Sequence, residues 1–489
     1  MVPSNEGSID PLRRRLLCVA MAGAALYSLA PAEALASANS IRIENITRLY
    51  AVPVARELAP TDAQAVAQAI RDWPGRISIG GGRYSMGGQI ALEGSLHLDM
   101  RAMNALVWLK VEARCVRVQA GMRWRDLQDL LDPHGLSVRT MQSFSNFTVG
   151  GSVSVNVHGR YVGHGPIAAS IRALQLVLAD GSVRELSRNE NAELFAAVIG
   201  GYGALGVVTE IELDLDLNER IERVVERPAL ADYPAWFRDR VLTDPAALMH
   251  NADLLPPLFE KPVAVTWRRT DKALTVPERL TPRDQRYTLE RSVLWAMTEM
   301  PGGQGLRESV VQPRVLGKQA VVWRNHEASQ DVAMLEPTTR AMTTYVLQEY
   351  FVPPRNFQSF VSGMSSILQR HGAQVLNVSI RHSPPDRDAL MCWAREEVFS
   401  FVLYYKQRKH AVAMQRVAQW TRELIELALV NGGTYYLPYQ LHATQDQFER
   451  AYPHFAALRA LKARFDPAAR FGNALWARYM PGAFGKPLS

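Results

Sequence analysis

Three glycine-rich loops constrain this chain more than any other feature. The first, Gly80-Gly81-Gly82-Arg83-Tyr84-Ser85-Met86-Gly87-Gly88-Gln89, is entered from the strand-like run Arg76–Ile79. The second, Asn146-Phe147-Thr148-Val149-Gly150-Gly151-Ser152, leads into Val153-Ser154-Val155-Asn156-Val157 and then His158-Gly159-Arg160. The third, Gly200-Gly201-Tyr202-Gly203-Ala204-Leu205-Gly206, lies between a helix-like Ala192–Val198 and a strand-like Val207–Leu213. Glycine lets the backbone bend tightly and turn successive N–H groups toward one point, which makes a nest for an anion. Ser85 adds a hydroxyl donor to the first nest. Each loop alone reads equally as a tight structural turn. Three in succession, each beside a strand, point to a large phosphate-bearing ligand held by backbone.

The third loop spells G-x-G-x-x-G at Gly201, Gly203 and Gly206. A nicotinamide site of the Rossmann type needs strand, loop and helix in that order, with an acid about 20 residues on. Here the helix precedes and the strand follows, so that site is excluded.

Other patterns place these loops among elements. Ala63–Ile70 has helical periodicity, Val116–Ala120 alternates like a strand, and Trp124–Leu131 is a helix closed by Pro133 and Gly135. Ile171–Leu178 reads as a buried strand that turns back at Ala179-Asp180-Gly181-Ser182. Glycine thins out after residue 218, and Trp, Arg and Pro increase, which marks a second domain over about 220–430. Residues 270–320 are polar and turn-rich and are expected to be irregular. Gln415–Val430 reads as a helix stopped by Asn431-Gly432-Gly433, and Phe448–Met480 reads as a helical tail.

A chain of 489 residues with 47% hydrophobic content has room for more than one core. The net charge of +7 is scattered, with no basic stripe interleaved with aromatics, which argues against nucleic acid. Cys18, Cys115 and Cys392 show no zinc spacing; the last two read as buried thiols or as one disulfide. His158 and His164 lack a third ligand, so no metal is expected. Residues 1–40 read as a targeting segment: Arg13-Arg14-Arg15, the apolar Leu16–Ala30, and an A-x-A-like site ending at Ala36. Arg13 to Leu17 resembles the twin-arginine signal, which exports folded proteins, so a periplasmic location is expected. The run is short for a membrane span of about 20 residues.

The order of these motifs resembles the vanillyl-alcohol-oxidase/p-cresol-methylhydroxylase (PCMH-type) flavoproteins. The carriers are the glycine nest, Ala120-Gly121-Met122-Arg123-Trp124-Arg125-Asp126-Leu127, Thr148-Val149-Gly150-Gly151, and Gly200 to Thr209. Within the family the chain is most similar to decaprenylphosphoryl-ribose oxidases and to alditol and aldonolactone oxidases. Val157–Arg160, Val346–Pro353, Leu376–Val378, Gly432-Gly433 with Tyr436, and the tail through Asp466-Pro467 and Phe471 carry that likeness. The resemblance implies an α+β fold: a discontinuous FAD-binding domain over 41–217 and 433–489, with an α+β substrate domain inserted over 218–432. It implies FAD contacts at Gly80, Gly81, Gly82, Arg83, Tyr84, Ser85, Gln89, Ala120, Gly121, Thr148, Gly150, Gly151, Ser154, His158, Gly159, Gly203, Gly206 and Val208.

Two departures bear on chemistry. Many members attach FAD covalently through a His in the first loop; Tyr84 stands there, and no bridging Cys lies near Tyr161, so noncovalent FAD is expected. The decaprenylphosphoryl group has a flavin-facing Lys where this chain has Tyr439, in Tyr436-Leu437-Pro438-Tyr439.

FAD would accept hydride, and a protein group must take the hydroxyl proton. The candidates are Tyr439 and His442, with His158 lining the flavin or bracing the loop. Lys406 and Arg160 are candidates for binding an anionic substrate group or for stabilising reduced, anionic flavin. The function expected is oxidation of a hydroxyl on a sugar-, polyol- or lactone-like substrate, with oxygen or a redox partner as acceptor. An electron-transfer dehydrogenase or reductase, and a noncatalytic binding protein, are the alternatives.

Overall fold

A computed structural model describes residues 41–283, 285, 287, 319–337 and 339–484. The targeting segment lies outside them, as does most of 270–320. From Ile43 onward the chain forms one compact unit. Among the described residues no helix is long and apolar enough to cross a membrane.

The architecture is α+β, with sheets that are mostly antiparallel. A small parallel sheet orders Arg56–Leu58, Leu96–Asp99 and Ile77–Gly80. The helix Ala63–Asp72 buries Val66, Ala67 and Ile70 in the core that this sheet shares, and Asp62 caps its N-terminus. The first glycine loop leaves the sheet at Gly80.

A second sheet runs Val183–Ser187, Ile171–Val177, Val207–Leu217, Cys115–Gln119 and Leu106–Lys110 in space, with Leu136–Val138 paired at the far end of Val207–Leu217. The strand Val207–Leu217 shows why alternation forms a strand: its odd-numbered residues 207–215 are buried and the even-numbered ones half-exposed. The expected hairpin at Ala179–Ser182 joins Ile171–Val177 to Val183–Ser187.

The third sheet begins three residues after Leu217, at Arg220. Its eight strands run Val321–Trp323, Arg220–Glu226, Val263–Arg269, Ala247–Leu254, Val375–Ser383, Val398–Arg408, Thr343–Val352 and Thr434–Tyr435, all antiparallel. The long helices Phe357–Arg370 and Ala411–Val430 cover part of it. They approach closely at Gly363, where a Cβ would stand 2.8 Å from Leu427. The second of these helices begins four residues before the expected Gln415, because the His410 side chain accepts the Ala413 N–H and starts it early. Among the described residues the tail forms four short helices, Gln445–Ala451, Phe455–Phe465, Ala474–Tyr479 and Pro481–Phe484.

One expectation is corrected. Val153–Val157 was read as the strand beside the second glycine loop. Instead Val149–Ser154 is a helix, capped by the Thr148 hydroxyl accepting the Gly151 N–H. Val149 and Val153, one helical turn apart, are buried on the same side, so the valines serve a helical face rather than an alternating one. Cys115 and Cys392 are free thiols, and burial lifts Cys392 to about 11, away from the reactive thiolate.

Candidate active site

The three glycine loops line one cleft, closed on the other side by the eight-stranded sheet and the returning segment Tyr436–Tyr439. Its empty space, counted together with its open mouth, is about 1650 Å³.

Hydrogen bonds tie the loops together. The Thr148 hydroxyl accepts from Gly82 and Gly151 N–H, joining the first loop to the second. Arg83 sits at φ 61°, the left-handed backbone that aims neighbouring N–H groups at a common point. Its guanidinium pairs with Glu57 at 2.5 Å and Asp99 at 3.1 Å, which fixes the loop from behind. Gln89 donates to the carbonyls of Leu437 and Tyr439, at 2.6 and 2.7 Å, while its own carbonyl accepts from Gly87. At Gly87 a Cβ would collide with the Tyr439 carbonyl, so glycine is what permits this seam.

Of the residues that the resemblance nominated, Gly81, Gly82, Arg83, Tyr84, Ser85, Gln89, Ala120, Thr148, Gly150, Gly151, Ser154, His158, Gly203, Gly206 and Val208 line the cleft. Gly80, Gly121 and Gly159 do not. A Cβ there would strike the His97 ring, the Met100 carbonyl and the Met141 carbonyl respectively, so these three glycines allow close internal packing. Tyr84 lies on the cleft with its ring 4.2 Å from Phe147, and burial pushes its phenol to about 12.

The floor carries a polar cluster that sequence reasoning saw only in part. His158 Nε2 lies 2.5 Å from Glu349 Oε1, and the Tyr439 hydroxyl donates to Glu349 Oε2 at 3.1 Å. The His158 ring is wedged between Trp393, Phe351 and Tyr436. Burial would raise the Glu349 carboxyl, but His158 and then Arg381 outweigh it and hold the group below its ordinary value. Burial, and then the Glu349 charge, push the Tyr439 phenol up, so it stays neutral.

Strand register explains this grouping. Glu349 faces Val402, which faces Ser379; Phe351 faces Ser400, which faces Arg381. Leu347, Glu349, Val402 and Arg381 therefore project from one face of the sheet, and all four line the cleft. Glu349 sat within a quoted motif without being singled out, and Arg381 was missed. The available signal was a charged residue within a strand-like run, Glu349 in Val346–Val352 and Arg381 in Val375–Ser383.

Three expected polar residues lie elsewhere. His442 does not line the cleft. It sits near Arg422 and Arg478, and burial with those charges lowers it to about 3, so it is neither placed nor tuned to take a substrate proton. Gln440, two residues before it, is held by Tyr50, Tyr405 and Gln407. Arg160 pairs with Glu327 at 2.8 Å, and Lys406 is buried four residues along its strand from Val402; neither lines the cleft. Among the described residues no cluster has the makings of a metal site.

The cleft fits FAD. It joins a glycine cradle to the buried Gln142 Nε2 and Ser143 Oγ, which have no protein partner and line the same wall. Unsatisfied buried donors of this kind are costly unless a ligand takes them.

Comparison with known proteins agrees. Residues 54–187 match the family model described as an FAD binding domain. The chain is 23% identical to the L-gulonolactone oxidase of Bos taurus over 451 residues, 89% of this chain and 97% of that one. It is 39% identical to the alditol oxidase of a Streptomyces species over 119 residues, 24% and 28% of the two chains. It is 30% identical to the decaprenylphosphoryl-beta-D-ribose oxidase of Mycolicibacterium smegmatis over 173 residues, 34% and 37%. Through this domain and these relatives the chain is similar to the PCMH-type FAD oxidoreductases. It is an FAD-dependent enzyme of the oxidase/dehydrogenase class, which removes the noncatalytic alternative.

Proposed function

We propose that this enzyme oxidises a carbinol of a sugar-, polyol- or lactone-like substrate, with Tyr439 and Glu349 receiving the hydroxyl proton. Bound FAD, held by the glycine cradle without a covalent bond, supplies the two-electron acceptor. The observation that carries the reading is the Tyr439–Glu349–His158 chain on the cleft floor. A neutral phenol is a poor base by itself. Its oxygen can accept the substrate hydroxyl proton while its own proton passes 3.1 Å to Glu349 Oε2. His158, 2.5 Å from the other carboxylate oxygen, fixes Glu349 and shares the proton. The aromatic packing around His158 excludes water from that side.

Support for a noncovalent cofactor is the makeup of the cleft wall: it contains no Cys, and its one His is engaged by Glu349. The substrate class follows the L-gulonolactone and alditol oxidases that the chain resembles. An anaerobic screen of polyols, aldoses and lactones for loss of flavin absorbance tests the reading. Bleaching by at least one class is expected, with fast recovery in air if oxygen is the acceptor. A flavin that dithionite reduces but no carbinol does would refute it.

A further inference from the structure

A lysine is buried behind the cleft wall. Lys462, on the helix Phe455–Phe465, does not line the cleft. Its ammonium carries three N–H donors and no acceptor. The donors go to the Ala204 carbonyl at 2.6 Å, the Phe471 carbonyl at 2.5 Å and Asp466 Oδ2 at 2.5 Å. The Phe484 ring lies 5.6 Å away and covers the charge.

The two carbonyls belong to different walls of the cleft. Ala204 is part of the third glycine loop and lines the cleft. Phe471 precedes Gly472 and Asn473 in the tail, and both line it as well. The same piece of tail grips the strand that delivers the first glycine loop: Ile77 N–H donates to the Arg470 carbonyl, and Gly472 N–H donates to the Ile77 carbonyl. Asn473 adds a tie to the third loop, donating to the Tyr202 carbonyl at 2.8 Å. Asp466 accepts the N–H groups of Arg470 and Phe471 at 2.8 and 2.9 Å. The carboxylate that answers the ammonium therefore also shapes the turn through Ala469, whose φ is 49°.

A buried ion pair adds little net stability over apolar side chains of the same volume. What an ammonium supplies that a methyl group cannot is a set of fixed directions. Here those directions join the third loop to the tail, and the tail to the first loop.

We infer that Lys462 is a positioning residue for FAD, setting the spacing of the first and third glycine loops without touching the cofactor. This rests on the cleft as the FAD site and is independent of the carbinol reading.

The test measures FAD affinity and stability separately. Flavin is released from the holoenzyme and rebound, followed by its fluorescence, beside urea denaturation of each apoprotein. Lys462→Met should raise the FAD Kd about tenfold, the scale of coupling through residues that do not touch a ligand. It should also lower the urea midpoint, because Asp466 is left as a buried, unpaired charge. Lys462→Met combined with Asp466→Asn strands no charge and keeps an acceptor for the backbone. Its urea midpoint should recover, while its FAD Kd stays about tenfold above the parent value. An FAD Kd unchanged in Lys462→Met, or one that returns to the parent value with the midpoint in the double variant, would overturn the inference and leave Lys462 a purely structural group. If the single variant does not fold, the double variant decides alone. If neither folds, the ion pair serves the fold rather than FAD, which also overturns it. A parent chain that rebinds no FAD would instead overturn the cofactor site itself.

Discussion

Replacing Glu349 separates its chemical role from its structural one. The side chain is 2% exposed and serves two partners, His158 and Tyr439. In Glu349→Gln the amide is nearly isosteric and can still accept from Tyr439 and bond His158, so stability should change by about 1 kcal/mol, the net worth of an ordinary hydrogen bond. It cannot take a proton. Losing a positioned base lowers the rate by about 10²–10⁴-fold, or about 2.7–5.4 kcal/mol of barrier. Glu349→Leu instead strands both partners at about 1–3 kcal/mol each, so it should lose about 2–6 kcal/mol of stability as well. The assay is stopped-flow flavin reduction under anaerobic conditions, beside urea denaturation of each variant. The contrast is the point: Gln should be slow and stable, Leu slow and unstable. A Gln variant that reduces flavin at the parent rate would remove Glu349 from the proton path, whatever its stability.

Three further outcomes follow from the same geometry. Acid precipitation should release all flavin into the supernatant, because Tyr84 replaces the linking His; yellow colour in a washed pellet would contradict this. Gly151→Asp should fold yet purify without flavin, since its Cβ would stand 2.9 Å from the Thr148 hydroxyl and its charge would enter the phosphate cradle; full occupancy would count against the cradle. Acid should destabilise the fold through His97 and His250, fully buried and lowered to about 4 and about 3. Their folded pKa values lie below the ordinary 6.5, so the unfolded chain binds protons first as pH falls. The stability present above pH 6.5 is then lost toward pH 4 for His97 and pH 3 for His250, about 2 kcal/mol for each at pH 5. A urea midpoint that does not move between pH 7.5 and pH 5 would refute it.

The glycine loops were legible because glycine marks backbone, and backbone built the cradle. The order helix, loop, strand around Gly200–Gly206 was enough to reject a nicotinamide site, and the structure has Ala192–Val198 as helix and Val207–Leu217 as strand. What sequence blurred was the purpose of each glycine. Gly81 and Gly150 line the cleft, yet Gly121 and Gly159, in equally suggestive motifs, admit carbonyls from elsewhere in the chain. A motif names the residue that must be small; only the fold says whether ligand or protein occupies the space.

The polar floor was harder to read for a different reason. Glu349 and Arg381 are 32 residues apart and share a face only because Val398–Arg408 lies between their strands, in a register set by ten consecutive pairs on one side. Local spacing cannot reveal such a pairing. Local spacing also promoted His442, three residues from Tyr439, which does not line the cleft. A charge on the cleft face of a central strand was the better guide than nearness in sequence. Desolvating Glu349 or Arg381 carries a cost that folding alone does not recover, so each marks a place where a partner, internal or bound, must compensate. For Glu349 the partners are His158 and Tyr439, and the Arg381 charge adds to them across the central strand.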